Sequence, residues 1–507
     1  MPSLRFARSL SRPVCRAATI AVTAALLASC GGGGDSGNSP LVGGIGLPSS
    51  ASLAQQCAMP RPGTSDTQGS AATEKAFLRS WIDETYLWYQ DVRALPAATL
   101  DPNNSATPID YFNKLKSPLK TASGKDKDEF HFIYDTPAWI ALSTSGVSYG
   151  YGLGITLAPA KAPNRNAIVA FLEPGATQAS ANGLARGAAI LTVDGVDVAN
   201  GTDVATLNEG LFPSAAGSHT FTIRDYGSAT TRNITMSAQA VTETPVQFVK
   251  TLPAPNAAVG YMLFNDHIAT SEAALVSAVN TLKAAGITDL VLDVRYNGGG
   301  YLDIAAELAY MIAPPTATAG KVFEQLTFNA RNPFPPTSTP FWSTGRFGST
   351  NGTALPNLGL SRVFVLTTGD TCSASEAIIN GLRGADITVN VIGGQTCGKP
   401  YGFYPRDNCG TTYFAIQFQG INSKGFGDYA DGFTPTCSVA DDFSHALGDP
   451  AENQLEVALG LRNQGMCITP TGASARGLSV DRSRADGPSG PALMRPPFRE
   501  NRIYRPQ

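Results

Sequence analysis

Two apolar strands joined by a helix constrain the fold of the second half of this chain. The first strand lies in VFVLTTGD from Val363, the helix in SASEAIINGL from Ser373, and the second strand in ITVNVIG, shortly before Lys399. A strand–helix–strand unit favours neighbouring parallel strands, because the crossover helix carries the chain back to the same end of the sheet. Open α/β sheets build their sites where the carboxyl ends of such strands meet. We therefore expect the side chains of Ser373 and Lys399 to meet at one sheet edge.

A serine that opens a helix and a lysine on a glycine turn have the layout of a serine–lysine nucleophile pair. Free N–H groups and the positive end of the helix dipole at Ser373 favour developing negative charge. A serine hydroxyl needs a base to take its proton, and a lysine can be that base only when it is neutral. Apolar walls lower the pKa of a lysine because burial disfavours its charged form, and Tyr401, Phe403 and Val391 are candidate walls for Lys399. The alternative is an N-capped helix with a surface lysine.

A glycine-rich turn lies upstream of this unit. The segment GITDLVLDVRYNGGGYLDIAAELAYMI predicts a strand that runs into Arg295, Asn297 and Gly298 to Gly300, followed by an amphipathic helix. Glycines allow close approach of the backbone and unusual dihedral angles. An N–H of this turn, that of Gly299, and the N–H of Ala374 would together form an oxyanion hole. The alternative is a strand-to-helix turn without chemistry.

These segments occur in the order found in a known family. The glycine segment, the block TCSASEAIINGL and the block GGQTCGKP are similar to segments of the carboxy-terminal processing, or tail-specific, serine peptidases, over roughly residues 141–461. The resemblance implies an α/β multidomain fold with a β-α catalytic core of the tail-specific, crotonase-like type. It implies that Ser373 is the nucleophile and Lys399 the base of an endopeptidase acting on protein or peptide tails. It implies no metal or organic cofactor, and it does not identify an activating partner.

Two departures from the family pattern concern the base. The family often has a glutamine four residues after the lysine, whereas this chain has Phe403, so the residue that orients Lys399 is unassigned. Tricorn-like relatives use a histidine instead, and the segment DEFHFIYD places His131 in a region that resembles theirs. His131 is thus an alternative base, although a lone histidine in an aromatic strand is more often structural. If Phe403 marks a broken site, the chain is instead an inactive binding or scaffold protein.

A PDZ-like module is expected ahead of the catalytic region. The segment EPGATQASANGLARGAAILTVDGVDV resembles PDZ domains, with a helix near 176–182. By this resemblance, a loop of five residues would aim backbone N–H groups at a peptide carboxylate: Tyr151, Gly152, Leu153, Gly154 and Ile155. The alternative is a β-sheet module used only for packing. The nearby GVSYG also matches the nucleophile elbow of esterases and lipases at Ser148, but that motif requires a helix after the turn.

The first thirty residues predict export. Four arginines precede the apolar run AATIAVTAALLA, which is too short to span a bilayer. The following Leu-Ala-Ser-Cys resembles a bacterial lipobox, which implies cleavage before Cys30 and acylation of its thiol. The chain would then be held at the membrane of a bacterial cell envelope, facing the periplasm or the cell surface. Ordinary signal cleavage is the alternative.

Six cysteines remain when Cys15 and Cys30 are set aside, and an even number in an oxidising compartment indicates disulfides. Six cysteines allow fifteen pairings, which the sequence leaves open. Four of them, Cys372, Cys397, Cys409 and Cys437, lie close together in the sequence, and bridges among these four would brace the loops of Ser373 and Lys399. Cys57 would then join Cys467. A metal site is disfavoured, because no C-x-x-C pair occurs and only four histidines are scattered along the chain.

The 507 residues, 43% of them hydrophobic, are enough for about three domains. A formal net charge of -3 gives no reason to expect nucleic-acid binding. The predicted divisions are a signal peptide (1–29), a flexible tether (30–56), a helical N-terminal domain (57–139), a PDZ-like domain (140–245), a catalytic domain (246–470) and a disordered tail (471–507).

Overall fold

The computed structural model describes residues 41–42, 46–471, 493 and 502–504. The predicted signal peptide, the acylation site Cys30 and the first part of the predicted tether lie outside the described residues. No helix within those described ranges has the length and apolarity needed to cross a membrane.

The N-terminal region is mainly helical. Its strands are β1 (Leu41–Val42), β2 (Leu47–Pro48), β3 (Gln56–Cys57), β4 (Thr67–Gln68) and β5 (Phe132–Asp135). Its helices are α1 (Ser50–Leu53), α2 (Ala71–Thr85), α3 (Tyr89–Arg93), α4 (Ala97–Leu100), α5 (Pro108–Lys114) and α6 (Thr136–Ile140). Helix α2 begins after Ser70, whose side chain accepts a hydrogen bond from the Thr73 N–H, and its apolar stripe is buried.

The flexible tether predicted up to residue 56 does not extend that far. Residues 46–56 include β2, α1 and the start of β3. Ser50 is buried, and its N–H and Oγ donate to Glu84 at 2.8 and 2.5 Å. A glycine- and serine-rich composition indicated a tether, whereas this serine is fixed by one distant carboxylate.

The middle region is an antiparallel sheet with two helices. It contains β6 (Val147–Gly150), β7 (Leu153–Ala158), β8 (Asn166–Leu172), β9 (Ala189–Val193), β10 (Val196–Asp197), β11 (Gly217–Arg224), β12 (Arg232–Thr242), α7 (Thr177–Ala181) and α8 (Val204–Leu211). The order β6–β12–β11–β9–β8–β7 leaves β7 at an edge, and β10 pairs with β9. The assignment of this sheet as a PDZ module stays a prediction.

The C-terminal region contains the strands and helices of the α/β fold. The strands are β13 (Val246–Thr251), β14 (Val259–Phe264), β15 (Asp289–Asp293), β16 (Gly299–Tyr301), β17 (Val322–Phe328), β18 (Thr337–Pro340), β19 (Arg362–Thr367), β20 (Thr388–Gly393), β21 (Tyr401–Gly402), β22 (Arg406–Asn408), β23 (Thr411–Phe414), β24 (Phe418–Ile421), β25 (Cys437–Ser438) and β26 (Arg502–Tyr504). The helices are α9 (Ser271–Ala284), α10 (Leu302–Ile312), α11 (Pro315–Thr318), α12 (Ala374–Gly384) and α13 (Asn453–Gln464).

The main sheet has the order β13–β14–β15–β19–β20–β25 and is parallel from β14 onward. Successive side chains of a strand point to opposite faces, and both faces of this sheet are covered. Leu292 and Val365 pack with the apolar side chains of α9, α10 and α12, whereas Val291 and Leu366 pack with those of α13. The predicted parallel pairing of the strands on either side of α12 is present, so β19 and β20 bring their carboxyl ends to one edge.

The helical N-terminal region and the segment after Lys399 form one structure. Strand β5 pairs with β23, which in turn pairs with β22, and Cys57 bonds to Cys409. Phe403 and Phe414 belong to the same apolar cluster as Trp81 of α2. The expected bridge from Cys57 to Cys467 is wrong, since Cys467 bonds to Cys437, and only the three-dimensional path of the chain could reveal this.

The tail predicted to be disordered contributes to the folded body at two places. Leu493 is buried in the core of the middle sheet, and its N–H donates to the Ala160 carbonyl at 3.0 Å. Strand β26 pairs in parallel with β16, in the register Gly299–Arg502, Gly300–Ile503 and Tyr301–Tyr504. An Arg-, Pro- and Gly-rich composition indicated disorder, but pairing of this kind uses the backbone and needs no apolar run.

Candidate active site

Ser373 lies at the turn between β19 and α12, directly before the first residue of the helix. Its backbone has φ 60° and ψ −111°, which a residue with a Cβ adopts only where the surroundings hold it. The residue is completely buried. The following Ala374 N–H is in the first turn of α12, where backbone N–H groups have no acceptor within the helix.

Hydrogen bonds fix this turn against the glycine turn between β15 and β16. The Asn297 carbonyl accepts from the Cys372 N–H and from Ser375 Oγ, both at 3.1 Å. Thr371 Oγ1 donates to the Val294 carbonyl at 2.9 Å. The residues on both sides of Ser373 are therefore held at a fixed place relative to the three glycines.

Arg295 anchors the glycine turn through its buried side chain. Its guanidinium is completely buried and donates to Asp293, Asp441 and Glu452, each at 2.7 Å. These carboxylates raise the pKa of Arg295 well above its usual value, although burial alone would lower it. The side chain is a structural cation, because three acidic groups occupy its donors.

Glu376 joins the predicted nucleophile to the predicted base, and sequence reasoning gave it no role. Its Oε2 accepts from the backbone N–H groups of Ser373 and Lys399 at 3.0 and 2.8 Å, so these two nitrogens lie no farther apart than the sum of those distances. Its Oε1 accepts from the Gly398 N–H at 2.9 Å and from Thr396 Oγ1 at 2.5 Å. Burial raises the pKa of Glu376, whereas these four donors act to lower it. An ionised carboxylate can accept all four bonds at once.

Lys399 is completely buried, and its Nζ contacts two aromatic rings. Its Nζ lies 4.2 Å from the centre of the Phe403 ring and 4.6 Å from that of Phe130. Phe403 was an expected wall. Phe130, from the N-terminal region, was not. Phe403, which stands where the family often has glutamine, thus places its ring against the lysine.

A disulfide closes the same site. Cys372 and Cys397 are bonded, with Cα atoms 5.2 Å apart, and the Cys397 N–H donates to the Thr371 carbonyl at 3.1 Å. The expectation that bridges brace the loops of Ser373 and Lys399 agrees with this pair. Glu376 is close to both sulfurs, but bonded cysteines are not metal ligands, so these three residues do not form a metal site.

His131 is held in the aromatic core of the N-terminal region. Its Nδ1 lies 2.7 Å from Asp128 Oδ2, and its ring stacks on Phe112 at 4.5 Å. Burial would raise the pKa of Asp128, but the charge and hydrogen bond of His131, with other donors, bring it below its usual value. The contacts found in the described residues hold His131 as a packed ring and do not join it to Ser373.

The Gly299 N–H, the expected oxyanion donor, is bonded within its own turn. The Gly299 N–H donates to Asn297 Oδ1 at 2.9 Å, because that side chain folds back into the turn. Gly299 and Tyr301 also bond to His267 through their carbonyl and N–H, at 3.2 and 2.8 Å. Alternate residues of a strand direct their hydrogen-bonding groups to opposite sides, so Gly300 faces the other side. In this conformation Gly300, rather than Gly299, can serve as the oxyanion donor.

The predicted carboxylate-binding loop lies at the edge of the middle sheet. Tyr151 is buried, and its hydroxyl donates to the Gly210 carbonyl at 2.9 Å, while Leu153 begins the edge strand β7. Gly152 has φ +76°, and a Cβ there would lie 2.6 Å from Ala176. The residues 148–155 line a pocket together with Leu211 and Phe212 at the end of α8. The pocket therefore lies between an edge strand and a helix.

Ser148 is part of strand β6, and its Oγ donates to Glu243 at 3.4 Å. The next element is β7 rather than a helix. The strand, turn and helix that a nucleophile elbow requires are therefore not present at Ser148.

Comparison with known proteins identifies the catalytic region. The model of Peptidase family S41 matches residues 258–403. A carboxyl-terminal-processing protease from a Synechocystis species is 25% identical over 352 residues, which are 67% of this chain and 74% of that protein. Another, from a Picosynechococcus species, is 27% identical over 177 residues, or 34% of this chain; the match spans 40% of that relative, less than two thirds of its length.

A solved structure gives the same result for the fold. A Bacteroides fragilis protein described as an S41 protease has a TM-score of 0.58 and 23% identity, over 77% of this chain and 97% of its own. The matched residues 258–403 contain both Ser373 and Lys399. Residues 258–403 therefore form a peptidase S41 domain, and the chain is homologous to the carboxyl-terminal-processing proteases.

Proposed function

We propose that the chain is a serine endopeptidase in which Ser373 is the nucleophile and Lys399 the general base. The observation that carries this proposal is the carboxylate of Glu376, which accepts hydrogen bonds from the backbone N–H groups of both residues. Two distant loops are thereby fixed around one point. Catalysis by a nucleophile and a base requires this kind of positioning before substrate arrives.

In the first step, Ser373 Oγ attacks the scissile carbonyl carbon while Lys399 Nζ takes the hydroxyl proton. The carbonyl oxygen gains negative charge and accepts from the N–H groups of Ala374 and Gly300. When the C–N bond breaks, Lys399 returns the proton to the leaving amine, and an ester with Ser373 remains. Water then attacks the ester while Lys399 takes one of its protons. As the C–O bond to Ser373 breaks, Lys399 returns that proton to Ser373 Oγ, and the new C-terminal acid is released and ionises.

Substrate selection is proposed to start at the pocket of the middle sheet. An extended peptide can add to the edge strand β7, with its terminal carboxylate at the loop from Tyr151 to Ile155. The substrates of this proposal are protein or peptide tails without stable structure. Acylation of Cys30 would hold the enzyme at a bacterial envelope membrane, as the signal sequence predicts.

The test compares wild-type protein with Ser373→Ala and Lys399→Ala on unstructured peptides with free C-termini. Both variants should lose nearly all cleavage, and the double variant should be no worse, because the two residues act as a unit. Lys399→Arg should also fail, since arginine does not become a neutral base.

His131→Ala is the matched control for the identity of the base. We expect it to keep most activity in protein that remains folded. Full activity of Lys399→Ala, together with loss in His131→Ala, would assign the base to the histidine instead.

The two rings at Lys399 favour a second candidate, a protein that binds peptide tails without cutting them. Contact with a ring face stabilises an ammonium ion, which is the form that does not act as a base. Phe403→Gln replaces one ring with a hydrogen-bonding group and distinguishes the two functions. If the chain is an enzyme, it cleaves peptides with either residue at position 403. If it is a binding protein, the wild-type protein releases peptides uncut, and only the Phe403→Gln variant cleaves them.

A further inference from the structure

A segment of the chain's own C-terminal tail pairs with the strand that contains the proposed oxyanion donor. Strand β26 (Arg502–Tyr504) pairs in parallel with β16 (Gly299–Tyr301), which contains Gly300. It also contacts β21 (Tyr401–Gly402), which begins two residues after Lys399. The segment therefore contacts both the strand of the proposed oxyanion donor and the strand that follows the proposed base.

The register specifies which carbonyl faces the oxyanion donor. His267 occupies the carbonyl of Gly299 and the N–H of Tyr301, so the N–H and carbonyl of Gly300 point toward β26. In a parallel ladder, a residue opposite Ile503 donates to the carbonyl of the residue before it and accepts from the N–H of the residue after it. The Gly300 N–H is therefore directed at the Arg502 carbonyl, and the Tyr504 N–H at the Gly300 carbonyl.

A second contact connects the same tail to the middle sheet. Leu493 is 2% exposed within the core that includes Leu157 of β7, and its N–H donates to Ala160, two residues beyond that strand. The tail thus touches the module proposed to select substrates and the site proposed to cut them.

We propose that the C-terminal tail of this chain is a substrate of its own active site, cut between Arg502 and Ile503. This inference rests on the proposed peptidase function and names one substrate of that site. Ser373 Oγ forms an ester with the Arg502 carbonyl carbon, and the C–N bond to Ile503 breaks. Lys399 passes the serine proton to the Ile503 nitrogen. Water then hydrolyses the ester, which leaves Arg502 as a new C-terminus and frees the Gly300 strand.

Because the tail belongs to the same chain as the site, the rate of this reaction does not depend on the protein concentration. A segment of the same chain is present at its site at an effective concentration in the mM range, far above that of a free peptide. Ser373 and Lys399 are completely buried in the structure that includes the tail. We therefore expect the tail to be cut before the site takes another peptide, and peptide turnover to follow its removal.

The experiment measures the intact mass and the C-terminal peptide of the purified full chain. Wild-type protein should lack residues 503–507, and Ser373→Ala protein should keep them. The same preparations are assayed on an unstructured peptide. If wild-type protein cuts that peptide but keeps its own tail, or loses it at another bond, the inference is overturned and the proposed function stands. If it cuts neither, the proposed function fails as well.

A pair of tail variants tests the strand pairing itself. Tyr504→Pro removes the N–H directed at the Gly300 carbonyl, and it should slow loss of the tail at least tenfold without lowering peptide cleavage by a pre-trimmed sample. Ile503→Ala keeps every backbone donor and should be processed as wild type. Loss of the tail at equal rates in both variants would refute the pairing as the cause.

Discussion

Replacing Glu376 with glutamine should weaken the link between the proposed nucleophile and the proposed base while preserving side-chain shape. Its Oε2 accepts from the Ser373 and Lys399 N–H groups, so an amide nitrogen at that position would face two donors and accept from neither. If the amide is reversed, the Gly398 N–H loses its acceptor instead, while the Thr396 hydroxyl can turn to accept from the amide nitrogen. At least one backbone donor is left without a partner in either orientation.

The size of the effect follows from the number of donors. A buried donor without an acceptor costs about 1–3 kcal/mol, so Glu376→Gln should lower the free energy of unfolding by at least about 1–3 kcal/mol. In either orientation the loop of Lys399 loses a hydrogen bond and can shift, and a displacement of about 1 Å between reacting groups costs about 10²-fold in rate. We expect kcat for peptide cleavage to fall by about that factor in protein that is still folded.

The assay combines denaturant unfolding with peptide cleavage, and Glu324→Gln is the matched control. Glu324 is also a buried glutamate, but its Oε1 has no hydrogen-bond partner among the described residues. The same substitution there should leave kcat unchanged and not lower stability. If Glu376→Gln and Glu324→Gln behave alike in both measurements, the carboxylate does not position the dyad.

Two further predictions concern stability and the disulfides. Burial raises the pKa of Glu324 from 4.5 to about 8, so its stabilising contribution is complete below pH 4.5 and lost as pH rises through about 8. Glu324→Gln should therefore raise the melting temperature relative to wild type at pH 9 but not at pH 4.5; an equal difference at both pH values would contradict this. Replacing Cys372 and Cys397 with alanine should lower kcat by at least tenfold, since their bond restrains both catalytic loops. The same change at Cys437 and Cys467 should reduce stability alone, and equal kcat losses in the two pairs would argue against a specific role.

Local patterns were sufficient to predict the parallel strands and the helix of the catalytic unit. Val363 to Leu366 are apolar, as are most residues after Thr388, and in the structure these apolar residues are buried, as a parallel sheet covered on both faces requires. The role of Glu376 could have been found from one signal, because a serine followed three residues later by glutamate is the pattern of a capping box. In the structure this glutamate does accept the N–H of the residue before the helix, and it also reaches the second loop.

Other features depend on contacts between distant residues and leave no local signal. The wall that Phe130 forms against Lys399 and the bond from Cys57 to Cys409 each join residues more than two hundred positions apart. The strand at Arg502 was missed for another reason. Backbone pairing places few demands on side chains, whereas composition reports on the side chains alone.

The contact of Phe130 and Phe403 with Lys399 also bears on the order in which the chain becomes active. During synthesis the N-terminal part of a chain emerges and folds first. The pocket of Lys399 closes only when β23 has emerged to pair with β5 and Cys409 has met Cys57. A chain that has already exposed Ser373 therefore still lacks a lysine held in place. The proposed dyad is complete only after most of the polypeptide has folded.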